Sequence, residues 1–212
     1  MKILIVNTSD ITGGAARAAY RLHRSLLAQN IDSQMLVQSK SSDEYSVIGA
    51  QTKMQKVMSK LRTPLDELPT KLYKNRTKGL FSPSWFGFND IVDKINEINP
   101  DVVHLHWICG GMIKIEELSK IKAPIVWSLH DMWAFSGGCH YAGECGAYKD
   151  SCGSCPQLGS DKENDLSRKI WNRKYKTFQQ IPDMTIIGLS RWLETCANES
   201  GLFRNKKVVN IP

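Results

Sequence analysis

Four consecutive stretches decide the fold: KILIVN (Lys2 to Asn7), TGG (Thr12 to Gly14), AARAAYRLHRSLLAQ (Ala15 to Gln29) and IDSQMLV (Ile31 to Val37). The first is an unbroken apolar run, as expected of a parallel strand buried on both faces. The glycine pair breaks it. Ala16, Ala19, Leu22, Leu26 and Leu27 then recur at helical spacing with arginines between them, and a second strand-like run follows. Strand, helix and strand in that order make a βαβ unit, whose crossover is right-handed.

The same alternation continues outward. Val47 to Ala50 predicts a short strand, Phe88 to Ile98 a helix ended by Asn99-Pro100, and Val102 to Trp107 a strand carrying His104 and His106. Ile113 to Ile121 predicts a short helix and Pro124 to Leu129 a strand. Asp161 to Gln179 reads as a helix capped by Asp161, Met184 to Leu189 as a strand, Ser190 to about Glu199 as a capped helix, and Lys207 to Val209 as a last strand. The expected fold class is therefore α/β, a Rossmann-like, doubly wound parallel sheet in one domain over 1–212. A basic helical and loop insertion at about 51–84 and a cysteine-rich loop at about 131–160 interrupt it.

The bulk properties fit that reading. The chain has 212 residues, 42% of them apolar and 23% charged, enough for one domain with a real core. Its longest apolar runs, such as Ile3 to Val6, are too short to span a bilayer. No signal peptide is read, so the expected location is the cytoplasm. The net charge of +7 gathers in one window: Lys53, Lys56, Lys60, Arg62, Lys71, Lys74, Arg76 and Lys78 are opposed only by Asp66 and Glu67. Met54, Val57, Met58 and Leu61 lie among them at helical spacing. A solvated helix face is one reading, a surface that rests on anionic lipid another. Nucleic acid is not expected, because no recognition motif accompanies the charge.

In a doubly wound sheet, ligands bind beyond the C-terminal strand ends. Four sets of residues fall there. Gly13 and Gly14 open a helix, where backbone N–H groups favour an anion and glycine admits a phosphate closely; without G-x-G-x-x-G or Gly-Lys-Ser/Thr they match no nucleotide fingerprint, and a tight turn explains them equally. His130, followed by Asp131, leaves the Pro124 to Leu129 strand. A histidine there can hydrogen-bond a hydroxyl or phosphate oxygen, or simply be a satisfied histidine under the loop. His106 is expected at the rim of the same cleft, whereas His104 reads as structural. Ser190 sits at the end of the Met184 to Leu189 strand. Trp107 and Trp127 read as core, with Trp133 or Tyr141 left to face a ligand.

Beside His130 lie Cys139, Cys145, Cys152 and Cys155, spaced C-x5-C-x6-C-x2-C. The last pair has zinc-ligand spacing, the first does not, and His140 adjoins the cluster as a substitute ligand. A structural zinc, free thiols and, in an oxidising compartment, two disulfides are the alternatives. A non-enzymatic zinc-binding interaction module, or a peripheral membrane-binding protein, would be consistent with these features.

The run His130-Asp131-Met132-Trp133-Ala134-Phe135-Ser136-Gly137-Gly138-Cys139-His140-Tyr141, followed by Cys145, Cys152, Cys155 and Pro156, resembles a bacterial subgroup of family 4 glycosyltransferases, the colanic-acid and capsule type. Gly13-Gly14-Ala15, Pro100-Asp101-Val102-Val103-His104-Leu105-His106 and Gly188-Leu189-Ser190 match the same pattern, so the likeness covers essentially the whole chain. The resemblance implies a GT-B enzyme of two Rossmann-like domains facing a cleft. This chain would be the N-terminal, acceptor-side half, inactive alone. The donor-binding C-terminal domain would lie outside it, past Val208-Val209-Asn210-Ile211-Pro212. The whole enzyme would transfer a sugar from a nucleotide-sugar donor to a lipid-linked saccharide with retention of configuration and without a catalytic metal. His130 would lie near the transferred sugar, Gly13 and Gly14 near the donor phosphate or the acceptor, and any zinc would be structural. The basic window would dock on the inner face of the cytoplasmic membrane.

Overall fold

A computed structural model describes residues 1–87 and 90–212. Among these, seven strands form one parallel sheet: β1 (Lys2–Ser9), β2 (Asp32–Ser39), β3 (Val47–Ile48), β4 (Val102–Leu105), β5 (Ile125–Leu129), β6 (Met184–Gly188) and β7 (Lys207–Asn210), in the order β3-β2-β1-β4-β5-β6-β7. Every pairing is parallel. This is the α/β Rossmann-like architecture expected, in a single domain. The order grows in one direction from β1 through β2 and β3, and in the other from β4 through β7. The winding thus reverses between β1 and β4, and a crevice opens there beyond the strand ends.

Five α-helices flank the sheet: α1 (Gly14–Ala28), α2 (Lys53–Asp66), α3 (Asp90–Ile98), α4 (Leu166–Phe178) and α5 (Arg191–Glu199). The apolar run of β1 is buried because both faces are covered. Ile5, Met35, Val37 and Val47 pack with Ala19 of α1, while Leu4, Val6, Leu36, Val103 and Leu105 join the larger core. Leu4, Ile5 and Val6 have no exposed surface at all, the condition that selects a continuous apolar strand over an alternating one.

Several boundaries differ from expectation for physical reasons. The helix expected from Phe88 is described from Asp90; Phe88 and Asn89 lie outside the described residues. The segment after Ile113 winds as a 3-10 helix, Ile115–Lys120. Helix α4 is capped by Asp165, not Asp161. Asp165 accepts the N–H of Arg168 and, through its other carboxylate oxygen, the N–H of Cys155 at 2.8 Å. That tie to the cysteine-rich loop is invisible to local sequence. Three short 3-10 turns punctuate the loop, Trp133–Phe135, Ala147–Lys149 and Pro156–Leu158. Arg62 is not part of the exposed basic face. It is buried, holding Asp90 with two contacts of 2.7 Å. No helix among the described residues is long and apolar enough to cross a membrane.

Candidate functional site

The reversal of winding is occupied by a groove of about 520 Å³, lined by residues 7–9 and 12–16 together with Trp107, His130, Asp131 and Tyr141. Three chain segments, following β1, β4 and β5, contribute to it. The sheet therefore brings Gly13, Gly14, His130 and Asp131 to one place. A separate surface depression near α2 and α3 shares none of these residues.

The β1 side is built by local geometry. Gly13 has φ 98°, a conformation that favours glycine, and caps α1 without any side-chain hydrogen bond. A Cβ placed at Gly13 or Gly14 would meet nothing within 4 Å, and both residues line the groove at the start of α1. Asp10 anchors the turn. Its buried carboxylate accepts from the N–H groups of Ser41 and Ser42 at 2.7 to 3.0 Å. Burial opposes its ionisation, but these hydrogen bonds outweigh that effect and hold the carboxyl below its usual range. Asn7 Oδ1 accepts from Trp107 N at 2.8 Å and Thr8 Oγ1 donates to Trp107 O at 2.9 Å, fastening the end of β1 to the chain leaving β4.

Asp131 has a different role from His130. Its Oδ2 accepts from Trp107 Nε1 at 3.0 Å and pairs with His140 Nδ1 at 2.6 Å, and its Oδ1 accepts from Trp133 N at 2.8 Å. His140 in turn contacts Ser82 Oγ at 2.9 Å, and Trp133 Nε1 donates to Ser82 O at 2.7 Å. Both carboxylate oxygens are thus engaged, tying the loop to itself and to the chain after β4, while His140 and Trp133 tie it to Ser82. A buried Asp–His–Ser chain of this kind holds a loop; with His140 and Ser82 almost without exposure, it offers no nucleophile to a substrate.

His130 is the imidazole that reaches the groove. Its Nε2 lies 2.9 Å from His106 Nδ1, and burial lowers its pKa, the Asp131 charge opposing only in part. His106, expected at the rim, stands behind it, 5% exposed and outside the groove lining. His104 is structural as expected, bonded through Nε2 to Ser128 Oγ at 2.8 Å. Ser190 caps α5 by accepting from Leu193 N and does not line the groove. Tyr141 lies exposed at the groove's edge, whereas Trp133 is buried. Trp107, read as core, also forms part of the groove wall.

The four cysteines line one separate cavity of about 20 Å³, with Cys152 Sγ accepting from Gly137 N at 3.1 Å. Among the described residues, however, no group of three or more His, Cys, Asp or Glu side chains is arranged to hold a metal ion. Without a metal, burial pushes the Cys139 thiol to about 11 and Cys152 to about 12, and raises Cys155. Zinc needs thiolates converging on one point; as arranged, the residues do not fit it. His140, the substitute ligand considered, is committed to Asp131 and Ser82.

With this geometry in view, comparison with known proteins is informative. The chain is 26% identical over 178 residues to a protein of Escherichia coli K12 described as "Putative colanic acid biosynthesis glycosyl transferase WcaC". The match covers 76% of this chain and 40% of that protein. The chain thus spans well under half the length of the curated relative it matches. No known family profile matches it.

Lys174, by contrast, had no part in the functional expectations. It is fully buried beneath the loop that carries His130 and Asp131, donating to Trp133 O and to Ser136 O, the latter at 3.0 Å, with its Nζ 3.7 Å from the Trp133 ring centre. Its position was detectable. Ile170, Lys174 and Phe178 are spaced four apart on one helix face, and both flanking residues are core.

Proposed function

We propose that this chain is the acceptor-side, N-terminal domain of a retaining glycosyltransferase of the GT-B class, acting in surface polysaccharide synthesis. The observation that carries the reading is the groove, where the open N-terminus of α1 faces His130 and Tyr141 across the winding reversal. A helix N-terminus suits a phosphate or an oxygen-rich sugar, a neutral imidazole suits a hydroxyl, and an exposed tyrosine ring suits a sugar face. The similarity to WcaC supports the same reaction class. On this reading a nucleotide-sugar donor is bound mainly by a second Rossmann-like unit outside these residues, and the saccharide acceptor by this one. The test is made on the full coding sequence. Incubation with nucleotide-sugar donors and a lipid-linked saccharide extract should give a lengthened saccharide whose new linkage keeps the donor's anomeric configuration. An inverted linkage overturns the retaining assignment, and no transfer with any donor overturns the function.

The lipid-linked acceptor is suggested by the surface around α2. Met54, Val57, Leu61 and Leu72 are exposed at 75, 56, 46 and 83%, in the window that carries Lys53, Lys56, Lys60 and Lys71. Exposed apolar residues interleaved with lysines match an anionic bilayer surface. The chain should sediment with vesicles containing phosphatidylglycerol and not with neutral ones. Replacing Lys53, Lys56 and Lys60 by Glu should weaken that binding by at least about 10²-fold, given about 1 kcal/mol per basic residue near the surface. Equal binding to neutral vesicles would remove the electrostatic argument.

A further inference from the structure

Two histidines on one strand and its extension, a buried nitrogen without a partner, and a single hydrogen bond between rings together determine how His130 meets a ligand. His104 and His106 are two residues apart and so lie on the same face of the chain, with ring centres 4.6 Å apart. His106 Nδ1 and His130 Nε2 are 2.9 Å apart. Exactly one proton can lie between two neutral imidazole nitrogens, so one ring donates and the other accepts.

The choice is decided at the far side of His106. Its Nε2 is buried and has no hydrogen-bond partner among the described residues. Suppose His130 donated through Nε2–H. His106 Nδ1 would then be the acceptor, its proton would sit on Nε2, and an N–H would be buried with nothing to receive it. In the opposite arrangement His106 donates from Nδ1–H and only a lone pair on Nε2 is left unmet. Orphaned buried N–H groups are the rarer of the two in folded proteins. Protonating His106 would leave the same unmet N–H on Nε2, and burial, with the neighbouring His104 and His130, opposes it by pushing the pKa down to about 2. His104 is likewise pushed to about 4, mainly by burial.

We propose that His106 is a positioning residue that fixes the tautomer of His130, which then presents Nδ1–H to the groove as a hydrogen-bond donor. His130 Nε2 is occupied in accepting from His106, and Nδ1 makes no hydrogen bond to the protein among the described residues. A ring held in this way cannot take a proton from a substrate. Its Nδ1 already carries one, and its Nε2 could receive one only if His106 surrendered its own donor and buried an unmet N–H. The ligand atom at this position is therefore an acceptor, such as a sugar hydroxyl or ring oxygen or a phosphate oxygen, and His130 is not a general base. The nature of the ligand rests on the glycosyltransferase reading; the tautomer does not.

The test is a long-range proton–nitrogen NMR spectrum of the chain labelled with ¹⁵N-histidine, recorded at about pH 7.5, above the ordinary histidine range. The His130 signals are assigned by their loss in a His130→Gln variant. The expected spectrum shows His130 protonated on Nδ1 and bare on Nε2, with His106 likewise protonated on Nδ1. Protonation of His130 on Nε2 overturns the proposal, and the wild-type spectrum alone decides that point. In His106→Phe, which keeps a ring but removes the donor, His130 should lose its single Nδ1–H form; an unchanged His130 signal there would show that His106 does not set it. Failure of the transfer assay would sink the sugar-transfer function and leave this spectrum as it is. Conversely, an active enzyme with His130 protonated on Nε2 would overturn only the present proposal.

Discussion

On the proposed glycosyltransferase reading, His130→Ala in the protein from the full coding sequence should lower kcat by about 10²-fold, the usual cost of removing one preorganised donor from a reacting centre, while the circular dichroism spectrum stays that of the wild type. The fold should tolerate the change because His130 follows the end of β5 and, among the described residues, its side chain makes one hydrogen bond, to His106. The loop around it is held by other groups, namely Asp131, His140, Ser82 and Lys174. His130→Asn gives the sharper comparison. Its side-chain amide can supply an N–H near the place of Nδ1–H but has no basic nitrogen. A donor role predicts that Asn loses clearly less activity than Ala; a base role predicts that both lose alike. Steady-state kinetics on the two variants, with KM followed separately, distinguishes these. Wild-type turnover in His130→Ala would remove His130 from the reacting centre altogether.

The sheet was legible because burial on two faces writes itself into Ile3 to Val6 of β1 as an unbroken apolar run and into β5 and β6 as strands with one polar residue each, Ser128 and Thr185, and glycine after β1 marks a turn with few alternatives. The gathering of Gly13 with His130 was legible for a related reason. In a parallel doubly wound sheet all strand ends of one kind lie on one edge, so topology alone brings residues together that are far apart in sequence. What could not be read is whatever depends on side-chain partners across the fold. His106 and His130 share the same edge, but only the packing puts one behind the other. Ser190 shares that edge too, yet its hydroxyl is spent on α5. Cysteine spacing suggests a metal, but it cannot say whether thiols converge on a point or line a wall. The cap of α4 moved to Asp165 because Cys155 offers it an N–H.

Lys174→Met should remove a contribution to stability that rises with pH between about pH 7 and 9. In the folded protein Lys174 has no exposed surface, and burial pulls its pKa from 10.5 to about 7, the nearby thiols and Asp131 opposing only in part. A lysine in the unfolded chain keeps its ordinary value. Between those two values the unfolded state holds the extra proton. Stability therefore rises with pH across that window, and the charged lysine is a cost borne in full below pH 7. Over pH 7 to 9 the rise amounts to about 2 kcal/mol, at about 1.4 kcal/mol per unit of pH once the folded lysine is neutral. From about pH 8 upward the buried thiols act in the opposite sense, since a cysteine ionises at about 8.5 in the unfolded chain whereas Cys139 and Cys152 keep their protons in the folded state to about 11 and 12; they are common to wild type and variant and cancel in the difference between the two curves. Methionine matches the length of lysine and carries no proton. It also withdraws a donor from Trp133 O and Ser136 O, which lowers stability at every pH, so the difference in slope is the quantity to read. Urea unfolding of wild type and variant at several pH values supplies it. Parallel curves would mean that Lys174 titrates as it does in water. A lysine that costs stability below pH 7, yet ties down the two carbonyls flanking the turn behind His130, is best explained by the placement of that turn, because a methionine would fill the same space without the charge.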